Sequence, residues 1–435
     1  MREVVRQKIA DSLARDVPAF TRRDLRAPSL PGKAVSVIGM RRSGKTTYLW
    51  QLLADRMAAG ADRADLLFFG FEDERLVGMA ARDLDLIVDE YYKARPSARG
   101  TRTVTLFLDE IQVVSGWELF IRRLLDTERM AIIVSGSSAK LLSREVATSL
   151  RGRSMEAVVF PFSFREALRH AGVEPAEPPE RWTSAVHSQL GASLRDYLVV
   201  GGFPEAQGLD AVDRFELLRG HVDTVLLRDI IERHTVSNPV ALRWMVRHLL
   251  SNTASSFSIH RLHGDLTSQG LKVGKDSLHA YLGHLEDSFL LRLVSVDTDS
   301  ERRRMTNPRK AYPVDPGFIP VFDRSGKANV GHALETCVLV ELERRRAEVT
   351  YAKLGDGSEI DFVARYPDGR VELIQVCADM ASRATAERET GALAAARAEY
   401  PDADRLVIVA EPPPAPIRVP GIRIATAEEW LLRAG

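Results

Sequence analysis

Eight residues near the start of the chain, Gly39-Met-Arg-Arg-Ser-Gly44-Lys45-Thr46, follow the pattern G-x-x-x-x-G-K-[ST]. The glycines let the backbone wrap an anion with its N–H groups, and the helix that follows adds the partial positive charge of its N-terminus. Lys45 reaches the β- and γ-phosphates of a nucleotide in this arrangement, and the Thr46 hydroxyl binds Mg²⁺. Gly39, Arg41, Arg42, Ser43, Gly44, Lys45, Thr46 and Thr47 therefore form the expected ATP-binding segment. Leu106-Phe107-Leu108-Asp109-Glu110 supplies the second half: an apolar strand ending in two acids. There Asp109 holds Mg²⁺ and Glu110 polarises the attacking water.

Three further groups complete a hydrolytic site. The strand Ala131–Val134 ends in Ser135-Gly-Ser-Ser138, where Ser137 or Ser138 is placed to sense the γ-phosphate. Leu150-Arg151-Gly-Arg153 offers two arginines, either of which could act as a finger on a neighbouring subunit. A solvated loop or an intrachain salt bridge is the competing reading of those arginines. Glu72 and Asp73 follow the second strand, and their relation to the site is open.

Positioning these groups requires a parallel sheet. Strand-like runs at Ala34–Ile38, Asp65–Phe71, Val104–Leu108 and Ala131–Val134 alternate with helical patterns such as Thr46–Met57. A charged amphipathic helix precedes them. Residues 163–239 read as mostly helical. A second α/β pattern begins near His332, with helix Ala333–Leu342 and strands Thr350–Lys353, Ile360–Ala364, Val371–Val376 and Leu406–Val409.

The chain has 435 residues, enough for several domains, and 60 basic against 60 acidic side chains. Neutrality excludes a uniformly basic nucleic-acid binder but permits a local basic face. Only ten of the basic residues are lysines, so the position of each lysine is informative. No apolar run reaches the roughly 18–20 residues of a membrane helix, and MREVVRQKIADSLARD lacks the apolar core of a secretory signal. Two cysteines, Cys337 and Cys377, make no disulfide framework. A cytoplasmic protein without membrane association is expected.

Between Ser258 and Leu285 the sequence reads as helix, Gly-containing turn, helix. Ile259, Leu262 and Leu266 share one face, and Leu278, Tyr281, Leu282 and Leu285 share the next. Asp276 or Ser277 is placed to cap the second helix. With the strand Phe289–Val296 behind it, this suggests a winged helix-turn-helix. Lys272 and Lys275 stand at the entrance of the second helix. Glu301 to Lys310 carries five positive charges and one negative, so Arg302, Arg303, Arg304, Arg309 and Lys310 read as a basic wing on DNA.

These segments together resemble a group of prokaryotic AAA-type ATPases whose C-terminal region is similar to PD-(D/E)XK nucleases. The resemblance rests on Ile38–Thr47, Leu108–Gln112, Ser135–Ser138, Leu150–Arg153, Phe160–Glu166, Gly201-Gly-Phe-Pro204 and Leu227–Arg233. It implies an α/β chain with a P-loop parallel sheet at 1–162, a helical lid at 163–240, a winged helix-turn-helix at 241–325 and a restriction-endonuclease-like α/β domain at 326–435. An active nuclease site of that kind uses a helix acid, a strand Asp and E-x-K on the next strand. Glu335 and Asp361 match the first two as metal ligands, while Gln375 and Cys377 stand where the acid and the lysine belong. Gln is a weaker Mg²⁺ ligand and a thiol cannot replace an ammonium, so cleavage is disfavoured. The expectation is a Mg²⁺-dependent ATPase acting on DNA, branched DNA included, as a homo-oligomer and with a hexameric ring among the options. The alternatives are a nucleotide-regulated switch or scaffold, and an ATP-gated nuclease.

Overall fold

The computed structural model describes residues 1–136, 152–323, 329–412 and 417–433. Contacts divide the chain into two units, residues 1–160 with 287–289, and residues 161–286 with 290–435. Among the described residues no helix is long and apolar enough to cross a membrane.

The first unit is built on a parallel sheet in the order β2-β3-β4-β1-β5. Its strands are β1 (Ala34–Ile38), β2 (Leu66–Gly70), β3 (Val104–Asp109), β4 (Met130–Gly136) and β5 (Ser154–Val158). Every residue of β1 and β3 is buried, as expected for strands covered on both faces, whose residues read as continuous apolar runs. Helix α1 (Arg2–Ala14) is followed by an extended segment. The helices α2 (Lys45–Ala58), α3 (Asp85–Ala94) and α4 (Trp117–Thr127) come after β1, β2 and β3. Tyr48, Leu49 and Leu53 of α2 pack on Val35, Val37, Phe107 and Ile133. The order brings β4 between β1 and β3, so the ends of all three open on one edge. The edge strand β5 (Ser-Met-Glu-Ala-Val) had no expectation in the sequence, because its composition carries no apolar run.

The second unit begins with α5 (Phe164–His170), which a capping box starts. Ser163 Oγ accepts from the Glu166 N–H at 3.2 Å, and Glu166 Oε2 accepts from the Ser163 N–H at 3.0 Å. That is the physical content of the Ser163-Phe-Arg-Glu166 segment. Helix α6 (Ser184–Val200) ends at Gly201 with φ +77°. A Cβ on Gly201 would lie 1.8 Å from Asp315 Oδ1, and one on Gly202 would lie 2.1 Å from the Phe162 carbonyl oxygen. Asp315 accepts from the Gly202 N–H at 2.7 Å and the Gly317 N–H at 2.9 Å, and its burial pushes its pKa up to about 7. The Gly201-Gly-Phe-Pro204 motif is thus the seat of a buried carboxyl. Helix α7 (Ala211–Thr224) runs into wide π-helical turns at Val225–Ile231.

Helix α8 (Pro239–Ser251), β6 (Ser256–Phe257), α9 (Ile259–Ser268), α10 (Lys275–Asp287), β7 (Leu291–Val294), α11 (Glu301–Thr306) and β8 (Arg309–Pro313) follow. Leu262, Leu266, Leu278, Tyr281, Leu282 and Leu285 are buried at the expected spacing. Ser258 caps α9 through the Arg261 N–H, and α10 starts at Lys275, one residue before the expected cap. The three strands pair antiparallel in the order β6-β8-β7.

After α12 (Phe318–Phe322) come α13 (Val330–Arg344), β9 (Glu348–Lys353), β10 (Glu359–Arg365), β11 (Val371–Asp379), α14 (Arg383–Ala395), β12 (Asp404–Glu411), β13 (Arg423–Thr426) and α15 (Ala427–Leu432). The sheet order is β13-β12-β11-β10-β9, antiparallel from β9 to β11 and parallel beyond. Alternation sets its two faces: Ile374, Leu406 and Ile408 pack with α13, while Leu373, Val407 and Val409 pack with α14. The pairing register shifts between Ile360 and Val363, beside Asp361.

Candidate functional site

The phosphate-type loop lies between β1 and α2, and two of its glycines are dictated by geometry. A Cβ on Gly39 would meet the Val159 carbonyl oxygen at 2.2 Å, a backbone atom that cannot yield. Gly44 has φ +98°, open to glycine at no steric cost. Lys45 is 5% exposed, and its ammonium donates to the Gly39 and Met40 carbonyls, each at 3.1 Å. Glu110 Oε1 lies 3.9 Å from it.

At the end of β3, Asp109 accepts from the Thr46 hydroxyl at 2.8 Å and from the Ser135 hydroxyl. Burial pushes the Asp109 carboxyl up, against the pull of those two hydroxyls. Ser135 Oγ also accepts from the Glu110 N–H at 2.9 Å. Glu110 has φ +56°, a left-handed position for a non-glycine, and the Gln112 amide donates to its carboxylate. Arg41 pairs with Glu72 at 3.5 Å.

Sequence reasoning placed the γ-phosphate sensor at Ser137 or Ser138, and these, with Arg151, lie outside the described residues. Ser135 is the residue it passed over. The signal was present: a hydroxyl inside a strand that is otherwise buried and apolar must find a polar partner. Arg153 lies just before β5, at the end of the sheet away from the loop, and is ion-paired with Asp126 of its own chain. The intrachain salt bridge weighed against the finger is therefore present.

The donor set fits Mg²⁺–ATP. The buried Ser43 hydroxyl has no hydrogen-bond partner, the Gly39 seat tolerates no side chain, and Lys45 is held by carbonyls that a phosphate outcompetes for an ammonium. When bound, the nucleotide supplies a phosphoanhydride and its metal supplies Lewis-acid charge. Thr46 and Asp109 are the residues that would hold the ion, and a hydroxyl with a single carboxylate suits Mg²⁺, which keeps water and phosphate as its other ligands.

The basic segment divides. Lys272, Lys275, Arg302 and Arg303 are exposed, and Lys275 Nζ lies 3.1 Å from His260 Nδ1. Arg304 is half-buried, bonded to the Thr298 carbonyl and 3.4 Å from Glu301; Arg309 is half-buried within β8. Lys310 corrects the expectation. It is 4% exposed, and its ammonium sits 2.7 Å from Glu359 Oε1 and 3.5 Å from Asp361 Oδ1. The reason is the strand's position: β8 is the middle strand, paired on both sides, and Lys310, Ala311, Tyr312 and Pro313 are all buried in a row.

Lys310 thus enters the cluster in which a divalent ion was expected on Glu335 and Asp361. Glu335 accepts from the Tyr312 hydroxyl at 3.1 Å, and burial pushes its carboxyl well up. Among the described residues no group of three or more His, Cys, Asp or Glu is arranged to hold a metal. Gln375 is spent on backbone: its Oε1 accepts from the Asp361 N–H and its Nε2 donates to the Glu359 carbonyl. The Cys377 thiol donates to the Asp379 carbonyl, and burial pushes it up to about 11.

Comparison with known proteins adds the following. Residues 31–168 match a family model described as an AAA domain, and residues 191–325 match one described as a domain of unknown function. The uncharacterized protein MJ1544 of Methanocaldococcus jannaschii is 31% identical over 372 residues, covering 84% of this chain and 79% of that protein. An uncharacterized protein of Haemophilus influenzae is 30% identical over 334 residues, covering 76% and 79%. Among solved structures, the Walker-type ATPase PABY2304 of Pyrococcus abyssi aligns over 74% of this chain and 95% of its own, with 15% identity and a TM-score of 0.39.

Proposed function

As a P-loop ATPase of the AAA type that belongs to one family with MJ1544 and its Haemophilus influenzae relative, this protein is one that we propose hydrolyses Mg²⁺–ATP to act on DNA. The carrying observation is the joined arrangement at Lys45, Thr46, Asp109, Glu110 and Ser135. Lys45 neutralises phosphate charge, and Thr46 with Asp109 orients the ion. Glu110 holds the attacking water and receives its proton, while Ser135 fixes the Asp109 carboxylate and the Glu110 backbone in one register.

DNA contact is assigned to α9, α10 and the three-stranded sheet, read as a winged helix. The order helix, strand, two helices, strand, short helix, strand supports it, and so do Lys272, Lys275, Arg302 and Arg303 on exposed positions. A homo-oligomer whose ATP sites are completed in trans belongs to the same reading. We read the C-terminal domain as nuclease-like, and because Lys310 pairs with Glu359 and Asp361 we assign it binding or assembly and not cleavage.

The test is the ATPase rate with single-stranded, duplex and branched DNA. Stimulation by at least one of them is expected. An indifferent rate, with oligomers that form only on nucleotide addition, would favour the switch reading. In the Arg302/Arg303/Arg304 triple alanine variant, duplex affinity should drop and the salt slope should flatten by about two to three, near 0.9 per lost phosphate contact. Unchanged binding removes the wing assignment.

A further inference from the structure

The extended segment between α1 and β1 contains one arginine that the nucleotide reading does not use. Arg23 is 6% exposed. Its guanidinium Nη2 donates to the Ser43 carbonyl oxygen at 2.8 Å and also to the Phe160 carbonyl oxygen. Its own backbone is clamped: the Arg23 N–H donates to Gln51 Oε1 at 2.7 Å, and Gln51 Nε2 donates to the Arg23 carbonyl at 3.0 Å. Tyr48 adds a bond from its hydroxyl to the Leu25 carbonyl at 2.9 Å. Gln51 and Tyr48 both belong to α2, the helix that Lys45 begins. A planar guanidinium offers several fixed donors at once, which an ammonium does not.

The two carbonyls that Arg23 holds are informative. Ser43 is the residue before Gly44, inside the phosphate loop. Phe160 closes the first unit, directly after Val159, whose carbonyl fills the space beside Gly39 and whose N–H donates to the Ile38 carbonyl at 2.8 Å. In a trans peptide the C=O and the next N–H point in opposite directions. A Ser43 carbonyl fixed on Arg23 therefore turns the Gly44 N–H away from Arg23. A free loop would have to pay the ordering of this peptide when an anion binds; here the ordering is done beforehand.

We propose that Arg23 is a positioning residue of the ATP site: it sets the Ser43–Gly44 peptide so that its N–H is ready for phosphate, and it ties that loop to the Val159–Phe160 backbone where the first unit ends. The inference rests on the nucleotide reading of Gly39–Thr46. Arg23 touches neither phosphate nor metal and acts only through the loop.

The experiment uses the full-length protein, a fluorescent ATP analogue and hydrogen exchange of the peptides spanning 39–46 and 158–162. Arg23→Ala should bind the analogue about tenfold more weakly, the weight of a charged hydrogen bond, and show raised KM for ATP with kcat near wild type. Both peptides should exchange faster even without nucleotide. Arg23→Lys, which keeps the charge but not the fixed planar fork, should fall between. Should Arg23→Ala fail to fold, Arg23→Lys and Gln51→Ala carry the test, both expected to fold with a somewhat lowered melting temperature and to weaken binding. Affinity within twofold of wild type in these folded variants, with unaltered exchange, overturns the proposal. Failure of the wild type to bind the analogue would instead overturn the nucleotide reading, and exchange at 39–46 would still decide whether Arg23 orders the loop.

Discussion

Lys45 and Lys310 are 5% and 4% exposed, and each faces carboxylates on the end of, or within, a strand. Their surroundings differ in what can be exchanged. Lys45 opens a helix, rests on two loop carbonyls at 3.1 Å, and keeps its acid at 3.9 Å. Lys310 sits within β8, whose neighbours pair with it on both sides, and closes on Glu359 at 2.7 Å. The first ammonium can trade neutral partners for phosphate at a gain. The second would have to abandon an ion pair in a poorly solvated place, leaving charge behind. A buried lysine among acids is thus a ligand site only where its partners are replaceable.

The contrast can be broken most directly by a pair of variants. Lys45→Ala should lower ATP turnover by about 10²–10³ while the melting temperature stays close to wild type. Lys310→Met should do the reverse, removing about 3 kcal/mol of stability in chemical denaturation with ATP turnover per folded molecule retained. Loss of turnover in a fully stable Lys310→Met protein would show that the second cluster is also a working site.

Ser135→Ala tests how far Asp109 and Glu110 depend on one hydroxyl. A fall in kcat of about tenfold is expected, from loss of the two hydrogen bonds it makes, with KM little changed. The mildest effect concerns pH. The Glu335 carboxyl lies above its ordinary value of 4.5 because of burial and the nearby Asp361 charge. Folding then takes up a proton, so stability from this group is complete below about 4.5 and declines as pH rises toward the raised value. Glu335→Gln cannot ionise and should flatten that part of the stability–pH curve measured by denaturant. An unchanged slope would remove Glu335 from the cluster's charge balance.

Much of the first unit could be read from residues alone. The runs at β1, β3 and β4 are apolar because both faces of a parallel sheet are covered, and their strand ends carry the loop and the acids. What escaped was β5, whose polar composition suits an edge strand and leaves no pattern. Ser135 escaped because its neighbours Ser137 and Ser138 offered the same chemistry in the sequence; the pairing of β3 with β4 brings its hydroxyl to Asp109 and Glu110. The Gly201-Gly202 pair was legible as a motif, but its reason is Asp315, more than a hundred residues away. The basic run 301–310 shows the opposite failure: its charges were counted as one surface, whereas β8 is the middle strand of its sheet and buries Lys310.

The sequence by itself determined the phosphate loop, the acid pair at Asp109 and Glu110 and the alternation of strands and helices around them. These follow from local rules, because glycine spacing, apolar runs and residue chemistry act over a few positions. Only the tertiary structure decided which acids share a cation. Charge pairing depends on distance through space and on burial, and neither is fixed by position along the chain. It placed Ser135 on Asp109, Arg23 on the loop Gly39–Thr46 and Lys310 among Glu359 and Asp361, and so left Lys45 with neutral partners and Lys310 with charged ones.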